Sequence, residues 1–167
     1  MNVSQLLAFK QFEAFINGCF QLPGPEQIIN LMPKILVNKD IIDAIDTEGR
    51  NTLYEIPEGF TILGHKHTIG DWSPPHDHGT TWAIYGVLEG KTLMNEWDLQ
   101  SSGKVRHRKA YWIHPGEAYF YPIRAIHSHK TTDNSKLIRI EGVNIWRYNV
   151  DGKTFDIEPN DNIHISF

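Results

Sequence analysis

The segment from Ser73 to Gly79 contains two histidines, His76 and His78, that are separated by a single residue. Because side chains alternate between the two faces of a strand, residues two apart point the same way. Neutral imidazole is a frequent protein ligand of zinc, copper, iron and nickel. The pair therefore predicts half of a metal site, although histidines also occur on strand surfaces without a chemical role. A third ligand is needed to decide between these two interpretations.

A candidate third ligand, His127, follows a segment that begins at Gly116 and is broken by Pro122. The glycine is typical of a turn before a strand, and the proline ends that strand, so His127 belongs to the next one. His129 shares a strand face with His127 and is the alternative ligand. The spacing from the proline favours His127. We therefore predict three imidazole ligands for one metal ion: His76, His78 and His127.

Together, the two segments resemble the paired motifs of the cupin superfamily. The first motif matches at its glycines and at its histidine pair, which are Gly70, His76, His78 and Gly90. The glutamate of that motif is missing, because Trp82 and Ala83 stand at its position. The second motif has Arg124 in place of a glycine and matches at Gly116, Pro122 and His127. The resemblance implies a small jelly-roll-like β-barrel with a metal held by three histidines.

The chain has 167 residues, 40% of them hydrophobic, which fits one domain with a sizeable core. Its net charge of −4 argues against a nucleic-acid partner, whose phosphates attract clustered lysine and arginine. A single cysteine, Cys19, allows no intrachain disulfide, and the sequence shows no signal peptide and no membrane-spanning apolar run. These features predict a cytoplasmic monomer or homodimer that acts on a small molecule, with no membrane partner.

The spacing of apolar residues changes once along the chain. Between residues 3 and 17 they recur at helical intervals, and Gly18 closes that segment. A second helix is predicted from Pro25, with Pro33 kinking or ending it, and a third helix after Asn38 as its N-cap. From residue 50 onward, short β-branched and aromatic segments alternate with turns. The predicted strands are 61–67, 80–88, 91–97, 105–113, 117–121 and 137–148.

These patterns predict a mainly β protein that folds as one domain. Residues 1–49 are expected to form two or three short helices packed on the barrel, and residues 50–167 to form the cupin β-barrel. Turn residues such as Glu89-Gly90 connect successive strands in hairpins, as in a barrel or a sandwich.

A narrower resemblance links the chain to the thiol dioxygenases, that is, cysteine dioxygenase and its bacterial relatives. It rests on the run Pro-His-Asp-His-Gly at 75–79, on the strand that ends at Gly90, and on the Gly-Arg-Asn segment at 49–51. The resemblance implies Fe(II), O₂ and a small thiol or carboxylic acid as substrate. It also implies that Arg50 holds the substrate carboxylate, for which the planar guanidinium is well suited. The alternative for Arg50 is a surface position beside a turn.

Two features of that family are absent from this sequence. Ala83 stands five residues beyond the second histidine, where many members have the cysteine of a cysteine–tyrosine crosslink. The family's late Ser-x-His-x-Tyr run, whose His and Tyr form hydrogen bonds above the metal, corresponds here to residues 142–146. Asn144 and Trp146 are therefore the predicted substitutes, and Trp146 has only an indole N–H donor. This difference casts doubt on thiol dioxygenation.

Strand alternation predicts that His65 and Tyr85 face the metal, and the thiol dioxygenase resemblance implies the same for Arg50. We expect Arg50, His65 and Tyr85 to point into the cavity, with His65 in the substrate pocket and Arg50 and Tyr85 in catalytic roles. His67 lies on the same strand face as His65, and the alternative for both is a solvent-exposed strand edge. A single β-bulge would reverse every assignment of facing that follows it.

Three functions agree with these residues. The first is a mononuclear non-haem iron dioxygenase of the cysteine dioxygenase-like class. The second is a three-histidine cupin of different chemistry that uses zinc, nickel or manganese. The third is a non-enzymatic cupin that binds a metal or a small molecule. A fold by itself does not choose among them.

Overall fold

The computed structural model describes residues 3–56, 59–142 and 151–159. Four short helical segments come first, followed by eight strands. The helices are α1 (Val3–Cys19), a 3-10 helix (Pro25–Asn30), α2 (Met32–Leu36) and α3 (Lys39–Ala44). The strands are β1 (Gly49–Glu55), β2 (Thr61–His67), β3 (Ala83–Glu89), β4 (Thr92–Leu99), β5 (Val105–Ile113), β6 (Ala118–Tyr121), β7 (His127–Thr131) and β8 (Ser135–Glu141).

The strands form two antiparallel sheets, which confirms the predicted mainly β architecture. Five strands pair in the order β1-β2-β8-β3-β6, and three pair in the order β5-β4-β7. None of the described helices is long and apolar enough to cross a membrane.

The local signals of the helical segment are confirmed in part. The side chain of Asn38 accepts hydrogen bonds from the backbone N–H groups of Asp40 and Ile41, so it caps α3 as predicted. Pro33, however, does not end a helix. It lies in the first turn of α2, where its missing N–H costs nothing because no intrahelical bond is made there. Helix α1 also extends past Gly18 to Cys19.

The five-stranded sheet separates two layers of side chains. On β3, Ile84 and Leu88 pack with the helices in one core cluster, whereas Ala83, Tyr85 and Val87 pack in a second cluster with residues of the other sheet. Strand β8 alternates in the same way, since its isoleucines join the helical cluster and Leu137 joins the other. Odd-numbered residues on these two strands therefore face the space between the sheets.

Helix α2 lies so close to β3 that the sheet has glycine at the point of contact. A Cβ on Gly86 would lie 2.7 Å from Leu36 Cδ2 and 2.8 Å from Met32 Cε. The helical segment is therefore packed directly on the back of the sheet that carries the site.

We expect Gly86→Ala to destabilise the protein by about 1–3 kcal/mol, because the added methyl overpacks the contact with α2. Urea unfolding followed by circular dichroism measures this change. Gly59→Ala is the matched control, since its Cβ would make only an ordinary contact of 3.4 Å with Ile56. Equal stability of the two variants would show that α2 is not held tightly against the sheet.

Candidate metal centre

The three predicted histidines are brought together by backbone pairing between distant segments. His76 donates its N–H to the carbonyl of His127 at 2.9 Å, and His127 donates its N–H to the carbonyl of His76 at 3.0 Å. His127 is the first residue of β7, whereas His76 makes only two isolated bridges, to His127 and to Thr154. His76 and His78 were predicted to lie on a strand, and in the structure they do not. The local pairing still directs both rings toward His127.

One ring nitrogen from each of His76, His78 and His127 lies within 4.8 Å of the others. The ring centroids are 4.7 to 5.4 Å apart. Among the residues that the structure describes, no other group of three histidine, cysteine or acidic side chains meets this spacing. The alternative ligand, His129, is not part of the group.

The outer nitrogen of each ring faces an oxygen atom, and for His76 and His127 the contact is a hydrogen bond. His76 Nδ1 lies 2.9 Å from the carbonyl of Pro74, and His127 Nδ1 lies 3.1 Å from the carbonyl of Ala125. His78 Nδ1 lies 3.3 Å from Glu141 Oε1. Because carbonyl and carboxylate oxygens only accept, these contacts place the proton on Nδ1 and leave the lone pair on Nε2. This is the arrangement in which histidines bind metal through Nε2.

All three imidazoles are neutral. Burial lowers the pKa of His76 to about 4, and burial likewise lowers the pKa of His78 and of His127 below the ordinary value. A metal ion would therefore not have to displace protons from these rings at neutral pH. The donor set and its protonation state fit a transition metal or zinc.

The phenol of Tyr85 lies beside two of these lone pairs. Its oxygen is 3.2 Å from His78 Nε2 and 3.3 Å from His127 Nε2. The side chain is buried, and burial raises the pKa of the phenol, so the group keeps its proton. The structure thus places Tyr85 within the site, as the sequence predicts.

A cavity of about 680 Å³ opens beside the cluster. A second set of imidazoles and one arginine line its walls: His65, His67, His129 and Arg139. His65 is thus at the pocket where it was predicted, and its ring stacks on His67 with centroids 5.4 Å apart. His67 is oriented in turn by Asp71, whose carboxylate lies 3.2 Å from its Nδ1.

Two charged residues of the site were missed by the sequence analysis. Arg139 is 7% exposed, Glu141 is fully buried, and Arg139 Nε lies 2.8 Å from Glu141 Oε1. Both face the space between the sheets, because they alternate with Ile138 and Ile140, which pack against the helices. The signal was present in the sequence: two charges at alternate positions of an otherwise apolar strand indicate a polar inner face.

Arg50 is not among the residues that line this cavity, and its predicted role stays a prediction. It pairs with His65 in the β1–β2 register, so the two residues share a sheet face. Strand β1 is the edge of its sheet, however, and the side chain of Arg50 is exposed. The buried cation of the cavity is Arg139.

The two predicted substitutes for the outer hydrogen-bonding network, Asn144 and Trp146, lie outside the described residues. The last described strand, β8, ends at Glu141. The residues of this strand that face the metal cluster are therefore Arg139 and Glu141.

No family model and no curated protein matches this chain. Similar solved structures include KdgF from Halomonas sp., with 20% identity over 57% of this chain and 79% of that chain and a TM-score of 0.46. A cupin superfamily protein from Desulfitobacterium hafniense has 13% identity over 61% and 86%, with a TM-score of 0.49. The DMSP lyase DddQ from Ruegeria pomeroyi has 14% identity over 67% and 53%, with a TM-score of 0.48.

The fold and the site define a mainly β protein with a three-histidine cluster beside a cavity between two antiparallel sheets. Relationship to the thiol dioxygenases stays a prediction that rests on the sequence motifs alone.

We expect replacement of His76, His78 or His127 by alanine to weaken binding of Co²⁺ or Zn²⁺ by orders of magnitude, because each removes one imidazole ligand. Titration of metal-free protein with Co²⁺, followed by absorption, measures the affinity. His114→Ala, at an exposed position, should bind like the wild type. If His129→Ala lost the metal while His127→Ala kept it, the ligand assignment would be wrong.

We expect Glu141→Gln to weaken metal affinity about 10- to 100-fold, because the amide no longer holds His78 in the Nδ1–H tautomer as a carboxylate does. The same Co²⁺ titration applies, with circular dichroism to establish that the variant is folded. Glu89→Gln, a half-exposed carboxylate at the end of β3 that contacts Lys136, is the matched control. Equal affinities of the two variants would remove Glu141 from the metal site.

Proposed function

We propose that this protein is a mononuclear non-haem iron dioxygenase that acts on a small thiol or carboxylic acid. The observation that carries the proposal is the cluster of three imidazoles, each with its Nδ1 facing an oxygen atom and one nitrogen within 4.8 Å of the others. Three protein ligands leave further positions of a metal open to other molecules. When bound, a ferrous ion would supply the oxygen chemistry. The protein would bind the substrate and orient it.

The side chains around the cluster have roles that suit such a reaction. His76, His78 and His127 hold the ion, and the three acceptors of their Nδ1–H groups keep the rings in place. Tyr85 keeps its proton and lies next to two of the three Nε2 atoms, so its O–H can donate to a substrate atom there. His78, His127 and Tyr85 are buried, so their side chains are held in fixed positions beside the cavity.

A second candidate is a three-histidine zinc enzyme. The contact between Glu141 and His78 favours it, because a carboxylate behind a ligand histidine is a common arrangement in zinc sites. Zinc held by three histidines lowers the pKa of a bound water and serves hydrolytic or hydration chemistry. The metal content of the protein separates the two candidates.

We expect protein purified without added metal to contain iron, and the iron-loaded protein to consume O₂ when a substrate is added. Metal analysis should be followed by O₂-electrode measurements with cysteine, 3-mercaptopropionate and acetylacetone. If Asn144 and Trp146 replace the His and Tyr of the hydrogen-bonding network in the thiol dioxygenases, turnover of cysteine should be poorer than turnover of another small acid.

His78→Ala is the control, since it removes a predicted ligand and should abolish O₂ uptake with every substrate. Zinc in place of iron, together with no O₂ uptake by iron-loaded protein, would favour the zinc candidate and contradict the dioxygenase.

A further inference from the structure

We infer that Arg139 and His65 form an anion subsite in the cavity and that this subsite takes the carboxylate of a small ligand bound beside the metal cluster. The inference deepens the proposed function and rests on it for the position of the metal. It replaces Arg50, which the motif resemblance predicted for this role, with a residue on another strand.

The first support is a pair of nitrogen atoms that lack a partner. Arg139 Nη2 and His65 Nε2 are both buried, and neither has a hydrogen-bond partner among the described residues. Both side chains line the same cavity and are less than 10% exposed. Arg139 Nη2 carries N–H groups, and a buried N–H without an acceptor costs free energy, so an oxygen-bearing ligand would be favoured at this place. In the tautomer that carries its hydrogen on Nε2, His65 donates to the same ligand.

The second support is the way the guanidinium is held. Its Nε lies 2.8 Å from Glu141, and its Nη1 donates a long hydrogen bond of 3.4 Å to the hydroxyl of Tyr85. These contacts orient the guanidinium. They leave Nη2 and the second N–H of Nη1 for a ligand. Two N–H groups on one edge match the two oxygens of a carboxylate.

The third support is charge. The charges of Arg139 and Glu141 offset each other. The other charged residues that line the cavity are Asp77, Asp151 and Lys153, and both of these carboxylates pair with Arg124. A divalent ion at the three histidines would therefore leave an excess positive charge in a buried space, which an anionic ligand compensates.

The size of the ligand follows from Tyr85. Its hydroxyl touches Arg139 on one side and the metal cluster on the other, at 3.4 Å from Nη1 and 3.2 Å from His78 Nε2. The Tyr85 hydroxyl group thus contacts both the anion subsite and the metal cluster, so the two lie close together. A ligand that reaches both needs only a short carbon chain, as in a three-carbon acid.

The test compares two ligands that differ only in charge, 3-mercaptopropionate and 3-mercaptopropionamide. Isothermal titration calorimetry under anaerobic conditions measures their affinities for Co²⁺-loaded protein. We expect the wild type to prefer the acid about 10- to 100-fold, as a charged hydrogen-bonded contact provides. Arg139→Gln should lose this preference, whereas Arg50→Gln and the surface variant Arg108→Gln should keep it.

Two further experiments apply if Arg139→Gln does not fold or if the protein holds no metal. Loss of Arg139 removes the cationic partner of the buried Glu141 and can prevent folding. In that case His65→Leu, which leaves the ion pair in place, should reduce the preference several-fold. If the protein holds no metal, the proposed function fails, and propionate against propionamide is titrated into metal-free protein instead. There too the acid should bind more tightly, and only with Arg139 present.

Equal binding of acid and amide by the wild type would overturn the inference. So would a preference that survives Arg139→Gln, or one that disappears in Arg50→Gln, since the latter would return the role to the edge strand. In the His65 arm, an unchanged preference would likewise contradict the subsite.

Discussion

Glu141 is fully buried, and one of its carboxylate oxygens, Oε1, lies close to two partners, Arg139 and His78. Removing two opposite charges from water costs about as much as their attraction returns, so the ion pair adds little stability. The ion pair instead determines where the side chains around it lie. It fixes a guanidinium at one wall of the cavity and an imidazole at the metal cluster, and Tyr85 contacts both of them from the other side. The polar groups of the site thus form one connected network.

The two faces of the five-stranded sheet differ in composition, and this difference makes the network possible. One face is apolar and is covered by the helices, with glycine at Gly86 where α2 comes closest. The other face carries His65, Tyr85, Arg139 and Glu141 toward the opposing sheet. Because the helices supply apolar burial on the back of the sheet, the front can hold buried polar groups whose desolvation is unfavourable.

Local signals in the sequence predicted local structure well. The capping of α3 by Asn38 depends on neighbouring residues only, and the three ligand histidines follow from two short motifs. Pro33 was misplaced because proline suits both a helix start and a helix end. Arg139 was overlooked because its burial depends on a sheet that packs on both faces, which the sequence does not state directly. Arg50 was predicted to face the metal from a motif resemblance, which says nothing about how far its strand lies from the sheet edge.

The mutual hydrogen bonds of His76 and His127 join parts of the chain that are far apart in the sequence. A metal ion at the cluster would act as a removable crosslink that closes a long loop, and such closure restricts the unfolded chain more than a local contact does. Binding to the folded state alone also shifts the unfolding equilibrium by mass action. The lifetime of this protein in a cell would then depend on the supply of free metal, whatever reaction the site performs.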